Sequence, residues 1–234
     1  MQLTPPTHSQ TFAIPRRAFT LLLGIITTCA LSGCAFLQPH ADPTKFYVLT
    51  MPGTSAQPAT AGGFARWKIG LRPIEIPAYL HGKLMVVRTG TNEIHFAEFD
   101  RWAEPLDEGI SRMMKESLGS ARNVESVALN SHGEDPLDYE VRLRVLACEG
   151  VRGENGSGYI RFSMAWETQS VGTNSTLIKS GTFVANPGVW DGKDYGKLAL
   201  GLSDVIARAG KMLAADLPMQ TLSPDKSSRE ATKP

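Results

Sequence analysis

The sequence predicts a single α+β domain, a mostly antiparallel or mixed β-sheet with two amphipathic helices packed on one face. Segments with alternating apolar residues occur in two groups, and each group is followed by a segment with helical periodicity. An order of strands, helix, strands and helix is typical of α+β proteins. No segment repeats at a fixed period. We place this domain at residues 45–217, long enough to form one hydrophobic core.

The first group contains four strand segments: 45–50, 67–80, 83–90 and 92–99. The last two read as an antiparallel pair joined near the turn residues Gly90 and Asn92. Residues 51–63 are rich in Pro, Gly, Ala and Ser, which predicts a flexible connection. Pro73 and Pro77 have no backbone N–H to donate, so the 67–80 strand is expected at a sheet edge or broken there.

The two helices are predicted from apolar stripes with helical spacing. The first covers residues 104–121, and the second about 195–217. The stripe of the first is formed by Leu106, Ile110, Met113, Met114 and Leu118, and that of the second by Leu198, Leu202, Val205, Ile206, Ala209, Met212 and Leu213. Between the helices lie three strand segments: 138–150, 158–170 and 176–186. A Gly/Asn-rich hairpin at 151–158 joins the first two.

The N-terminus has the features of an export signal. Arg16 and Arg17 precede the apolar run 18–30, which is shorter than the roughly 20 residues that span a membrane. The segment then closes with "LSGC", which resembles the bacterial lipobox. Cleavage between Gly33 and Cys34 would remove residues 1–33 and leave Cys34 as the diacylated N-terminus. A buried helix with an incidental cysteine explains the order of these features less well.

Residues 34–44 are then a lipidated tether and residues 218–234 a tail. Ala35 follows the cysteine where an Asp would retain a lipoprotein at the inner membrane, so we expect the periplasmic face of the outer membrane. The tail is polar and rich in Pro and Ser, which predicts disorder. The twin arginines leave the choice between the Sec and Tat export routes open.

Charge argues against one class of protein, and cysteine content argues against an intrachain disulfide. The formal net charge of +1 argues against a nucleic-acid-binding protein, which would be strongly basic. Once the signal with Cys29 is removed and Cys34 is acylated, Cys148 has no partner for an intrachain disulfide. It lies in an apolar-rich strand, so it is predicted to be a small buried residue.

The sequence predicts no metal site, cofactor or catalytic centre. No pair of histidines has the spacing that places two ligands on one helical face. His95 alternates with apolar residues of a strand, which favours an outward orientation. There is no G-x-S-x-G motif and no Cys/His nucleophile pair.

The stretch "FDRWAEPLDEG" at 99–109 contains four carboxylates, and a helix start explains most of them. Pro105 suits a first helical turn, Asp107 and Glu108 fall where the helix dipole favours negative charge, and Glu104 is a candidate cap. Asp100 and Arg101 are then predicted to form an ion pair or a local hydrogen-bond set beside Trp102. We expect this group to define the fold first and to face a partner second.

Two segments resemble a known family. The "PIEIPAYL" segment, with Pro77, Tyr79 and Leu80, and the "RWAEPL" segment are similar to the ABC-type transport auxiliary lipoproteins, which include the lipoprotein subunit of the paraquat-inducible Pqi system. Together with the lipobox, the resemblance extends over nearly the whole mature chain before the tail.

The resemblance implies a non-enzymatic periplasmic subunit tethered to the outer membrane. Such a subunit works with an inner-membrane permease and an MCE-domain protein that conducts lipids between the two membranes. The residues of the two segments would be structural signature residues or a docking face: Pro77, Tyr79, Leu80, Asp100, Arg101, Trp102, Glu104 and Pro105. Whether the chain forms a homo-oligomer stays open.

Two other functions are retained as alternatives. In a lipid-binding carrier, methionines on the amphipathic elements would line an apolar cavity: Met85, Met113, Met114, Met164 and Met212. A periplasmic hydrolase would depend on an acid pair such as Asp107 and Glu108, and is the weakest of the three hypotheses.

Overall fold

The computed structural model describes residues 41–53, 66–129, 136–172 and 175–218. The domain begins at Thr44. The predicted signal peptide 1–33, the lipidation site Gly33–Cys34, most of the tether and the tail beyond Pro218 lie outside the described residues.

The described residues form a mixed sheet of nine strands and two α-helices. The strands are β1 (Lys45–Tyr47), β2 (Trp67–Leu71), β3 (Leu84–Arg88), β4 (Ile94–Trp102), β5 (Val124–Leu129), β6 (Tyr139–Arg152), β7 (Gly158–Ser170), β8 (Leu177–Val184) and β9 (Gly188–Trp190). The helices are α1 (Leu106–Gly119) and α2 (Tyr195–Asp216), and a short 3₁₀ helix covers Ala78–Leu80. This architecture confirms the predicted α+β class.

The long antiparallel hairpin of β6 and β7 is the centre of the sheet. Its strands pair from Tyr139 opposite Ser170 to Arg152 opposite Gly158. At the other edge of β6, β2 pairs with the first half in parallel, and β3 pairs with the second half, also in parallel. β5 extends the sheet beyond β2, while β4 and then β1 extend it beyond β3. The other edge of β7 pairs with β8 along one part of its length and with β9 along another.

The β6–β7 turn has the chemistry that its sequence predicts. Gly156 has φ +79°, a conformation that only glycine adopts without strain. The Asn155 side chain accepts hydrogen bonds from the Ser157 amide at 3.1 Å and from its hydroxyl at 2.6 Å. The hairpin is therefore closed by local bonds.

Both helices pack on the same face of the sheet, and small residues allow their close approach. A Cβ atom at Gly150 would lie 3.0 Å from Leu198 of α2, and one at Gly210 would lie 2.5 Å from Ser117 of α1. The Asp194 side chain caps α2 by accepting from the amides of Gly196 and Lys197. The core between these layers includes four fully buried methionines: Met85, Met113, Met114 and Met164.

The structure corrects two details of the first half. Of the two alternatives predicted for the 67–80 strand, the break at the prolines is confirmed and the edge position is wrong, since β2 pairs with both β5 and β6. The prolines instead end the strand at Leu71, and the chain rejoins β6 only through an isolated bridge between Glu75 and Arg144. The connection from Pro77 to Lys83 then leaves the sheet before β3 begins.

The helix start is two residues later than predicted. Pro105 has φ −54° and ψ 138°, so it precedes the helix as its N-cap residue, and no side chain caps α1 there. Asp107 and Glu108 do lie in the first turn. The short strands β5 and β9 were not predicted.

Candidate functional site

The chain that follows the first signature segment meets the second segment because β3 and β4 are paired. Leu84, soon after the first segment, lies opposite Arg101 of the second. The backbone N–H of Trp102 also donates to the carbonyl of Lys83 at 2.7 Å. The fold thus brings Lys83 and Leu84, which follow the first segment, to the corner of the sheet that Asp100–Pro105 occupy.

Two signature side chains belong to the core. Trp102 is 4 % exposed and Leu80 is 2 % exposed. The Ala103 amide, next to Trp102, donates to the Tyr47 carbonyl at 2.8 Å and so connects β4 to β1. In this conformation the indole of Trp102 holds the corner together and is not presented to a partner.

Asp100 and Arg101 do not bond to each other in the way predicted. Consecutive strand residues point to opposite faces, and the Tyr47 hydroxyl donates to Asp100 Oδ1 at 2.7 Å. Burial, and then this bond to a carboxylate, raise the pKa of Tyr47 to about 12. Within the described part of the chain, Arg101 Nε is buried without a hydrogen-bond partner.

Glu104 is paired with Arg112 of α1 and does not cap the helix. Arg112 also donates to the Leu49 carbonyl at 2.8 Å, so its guanidinium connects the helix to the chain after β1. Glu104 therefore fixes the β4–α1 connection through an ion pair rather than through the backbone amides of the helix.

A second polar cluster, which sequence reasoning missed, lies beside the first signature segment. Glu149 of β6 has a fully buried side chain, and its Oε1 accepts from Arg88 Nε at 2.7 Å and from Arg161 at 3.4 Å. Burial, followed by the charge of Glu149 and a hydrogen bond to it, raises the pKa of Tyr79 to about 12. Hence Tyr79 of the signature segment is placed against a buried carboxylate.

The sequence contained a weak signal for this cluster. The register of β6 against β7 shifts between Val145 and Ala147, and this shift turns Glu149 away from the face that Val141, Leu143 and Val145 share. Simple alternation from Val141 would place Glu149 with the core residues, where a charged side chain is out of place. That conflict in the pattern is the mark of a bulge.

Large apolar side chains are exposed on β4 and in and just after β1. Phe46 is 63 % exposed, and Val48, Phe96 and Phe99 are each between 42 % and 45 % exposed. We call these four residues the apolar patch. Clustered exposed apolar side chains are typical of contact surfaces.

A different surface is polar. An open groove of about 400 Å³ is lined in part by Glu75, Arg142, Arg144 and Glu167. Its charged walls suit water or polar groups better than an acyl chain. Four of the methionines proposed to line a lipid cavity are instead fully buried in the packed core.

The structure places several groups that metal or nucleophile chemistry could use. No set of three or more His, Cys, Asp and Glu residues that could hold a metal ion occurs in the described residues. His95 is exposed, and Cys148 is buried, which raises the pKa of its thiol to about 12. Nor does any described helix have the length and apolarity to cross a membrane.

Two solved structures share the fold. Protein XCC0632 from Xanthomonas campestris, a DUF330 protein, superposes with a TM-score of 0.61 at 13 % identity, covering 73 % of this chain and 93 % of that one. An uncharacterized protein superposes with a TM-score of 0.57 at 19 % identity, covering 75 % and 99 %. PelC from Paraburkholderia phytofirmans, solved as a dodecamer, gives a TM-score of only 0.38 at 14 % identity, covering 66 % and 93 %.

Sequence comparison identifies the family. No curated protein matches the chain significantly. Residues 47–214 match the family described as the ABC-type transport auxiliary lipoprotein component, a span that contains both signature segments and both helices. The chain is therefore a member of the ABC-type transport auxiliary lipoprotein family.

Proposed function

We propose that the chain is a lipid-anchored, non-catalytic accessory subunit of an ABC/MCE-type system that moves lipids between the inner and outer membranes and supports envelope integrity. The family match over residues 47–214 is the observation that carries this proposal. In it, the partners are an MCE-domain protein and an inner-membrane permease. The proposed function includes no cofactor.

The anchor in this proposal is the acylated Cys34 at the periplasmic face of the outer membrane. A single acyl chain binds membranes only marginally, whereas several chains on one cysteine hold a protein stably. Ala35 in place of Asp supports sorting to the outer membrane. Residues 34–44 would connect the acyl chains to β1 of the domain.

The docking face in this proposal is the surface of the β4–α1 connection. Trp102 is buried there, but Ala103 is exposed and Glu104 is half-buried. The core contacts of Trp102 and the Glu104–Arg112 ion pair would fix the backbone of this connection against a partner. A rigid contact surface binds with a smaller entropic cost than a mobile one.

Affinity isolation of the full mature lipoprotein tests the proposal. The tagged chain is extracted from total membranes with mild detergent after brief chemical crosslinking, and the bound proteins are identified by mass spectrometry. We expect an MCE-domain protein and a permease to be recovered. Recovery of neither, from a preparation in which Cys34 is acylated, would contradict the transport function.

Sorting is tested separately by membrane fractionation on a density gradient. The natural chain should sediment with the outer membrane, and Ala35→Asp should shift it to the inner-membrane fraction. Cys34→Ser should block processing and acylation. A natural chain that fractionates with the inner membrane would contradict the outer-membrane assignment while leaving the family unchanged.

A further inference from the structure

The apolar patch lies on the face of the sheet opposite to the helices. A Cβ atom at Gly150 would touch Trp190 and Leu198, so Gly150 faces α2, and Val87 is its partner in β3. The adjacent Val86 therefore faces away from the helix layer, and Phe96 lies opposite Val86 in the register.

The same reasoning places Phe46 with Phe96. Tyr47 Cε1 would lie 3.7 Å from a Cβ atom at Gly196 of α2, so Tyr47 faces the helices and Phe46 does not. Arg101 lies opposite Phe46, and Phe99 is two residues earlier on the same strand. Three phenylalanines of β1 and β4 thus project from one face of the sheet.

The start of the domain is close to the predicted anchor. An extended chain spans about 3.5 Å per residue, so the segment from Cys34 to Phe46 reaches at most about 40 Å, and Phe46 is the second residue of β1. This length keeps Phe46 within about 40 Å of the bilayer to which Cys34 would be anchored. Because of this tethering, the patch meets the membrane more often than it meets any untethered partner.

A cationic side chain accompanies the patch. Arg101 lies opposite Phe46, and its Nε is buried without a hydrogen-bond partner in the described part of the chain. A guanidinium beside an apolar surface is suited to a lipid phosphate. Of the nearby acids, Asp100 accepts from Tyr47 on the opposite face, and Glu98 is exposed.

We propose that the apolar patch of Phe46, Val48, Phe96 and Phe99 rests on the lipid surface to which Cys34 is anchored, with Arg101 at the phosphate level. This inference rests on the acylation in the proposed function and adds a second membrane contact to it. The contact would fix the orientation of the domain, because acyl chains on Cys34 restrict the distance of the domain from the bilayer but not its rotation.

Site-directed spin labelling of the full acylated chain tests this contact. Phe46→Cys and Phe99→Cys variants carry a nitroxide and are reconstituted into phosphatidylethanolamine/phosphatidylglycerol vesicles. Cys148 does not compete for the label, because it is buried and its thiol pKa is about 12. Leu200→Cys, on the exposed surface of α2 at 66 % exposure, is the matched control.

The readout is the ratio of oxygen to nickel-chelate accessibility. We expect this ratio to rise severalfold at residues 46 and 99 on transfer from detergent to vesicles, and to stay unchanged at residue 200. Labels at 46 and 99 that remain as water-accessible as the control would overturn the proposal. So would protection that appears only at high protein density or only with a transporter subunit, since it would mark a protein interface.

The outcome is separable from that of the proposed function. Vesicle flotation and the mass of the N-terminal peptide report acylation directly. A chain that floats and recovers its partners but keeps water-exposed labels loses only the membrane contact of the patch. A chain that is not acylated loses the anchor itself.

Discussion

Glu149 shows how one buried charge fixes a signature segment. Its side chain is fully buried, and the two arginines that contact it come from β3 and β7, on either side of β6. Tyr79, in the connection between β2 and β3, is hydrogen-bonded to the same carboxylate. A buried ion pair adds little net stability, but breaking one by removing a partner is costly.

Removing the carboxylate should therefore destabilise the domain strongly. We expect Glu149→Ala to lower the free energy of unfolding by about 3–5 kcal/mol, because Arg88 is left without its charge partner. Glu149→Gln keeps the volume and one acceptor, so its cost should be about 1–3 kcal/mol. Urea unfolding followed by circular dichroism measures both.

Glu167→Gln is the matched control for this pair of variants. Glu167 lies on the neighbouring strand β7 and is exposed, so its substitution should change stability by less than about 0.5 kcal/mol. Equal effects of Glu149→Gln and Glu167→Gln would show that burial of Glu149 has no energetic consequence.

Two tyrosines should make the domain sensitive to alkali. The pKa values of Tyr47 and Tyr79 are raised from 10.0 to about 12, chiefly by burial. Between pH 10 and pH 12 the unfolded chain releases protons that the folded chain keeps, so stability falls as the pH rises. We expect the free energy of unfolding to decline over this range.

The Tyr47→Phe, Tyr79→Phe double variant isolates this effect. It should show a shallower decline from pH 10 to pH 12 than the natural chain, as measured by urea unfolding at each pH. A double variant with the same slope as the natural chain would assign the decline to other groups.

At the scale of elements, the contact between α1 and α2 depends on a glycine. A Cβ atom at Gly210 would lie 2.5 Å from both Cβ and Oγ of Ser117. Gly210→Ala should therefore destabilise the domain by about 1–3 kcal/mol through overpacking, although alanine has the better helix propensity.

Gly119→Ala separates packing from propensity. Gly119 is also helical, but nothing lies within 4 Å of a Cβ atom built there. This substitution should be neutral or stabilising by less than about 1 kcal/mol. If thermal unfolding shows the two alanine variants to be equally stable, the close helix contact is not as the structure describes it.

The elements with strong periodicity could be predicted from the sequence. The stripes of α1 and α2 and the alternation of β6 and β7 each define one buried face, and these elements form the core. β9 could not be predicted, because its three residues include Val189 at 96 % exposure and only its pairing with β7 makes it a strand.

The signature corner could be predicted only in part. The sequence indicated that Trp102 defines the fold, and the structure places its indole in the core. The bonds of Tyr47 to Asp100 and of Arg112 to Glu104 could not be read from spacing. They join residues from different elements, and only the register of β1, β4 and α1 brings these together.

At the scale of the whole molecule, the domain combines a packed core with two differentiated surfaces. The apolar patch lies on β4 and at β1, the first strand after Cys34. The β4–α1 connection, with Ala103, follows the end of β4. An accessory subunit needs both a fixed position at a membrane and a rigid contact for its partner. In the proposed function, the apolar patch would serve the first need and the β4–α1 connection the second.

The most direct measurement of the central claim is photo-crosslinking from Ala103 in living cells. A photoreactive amino acid at Ala103, in the full lipidated chain, samples the surface of the β4–α1 connection, and the same probe at Leu200 on α2 is the control. The account predicts a crosslink from residue 103, and not from residue 200, to an MCE-domain protein or permease of the transport system. Crosslinks from residue 103 to lipids alone would contradict it.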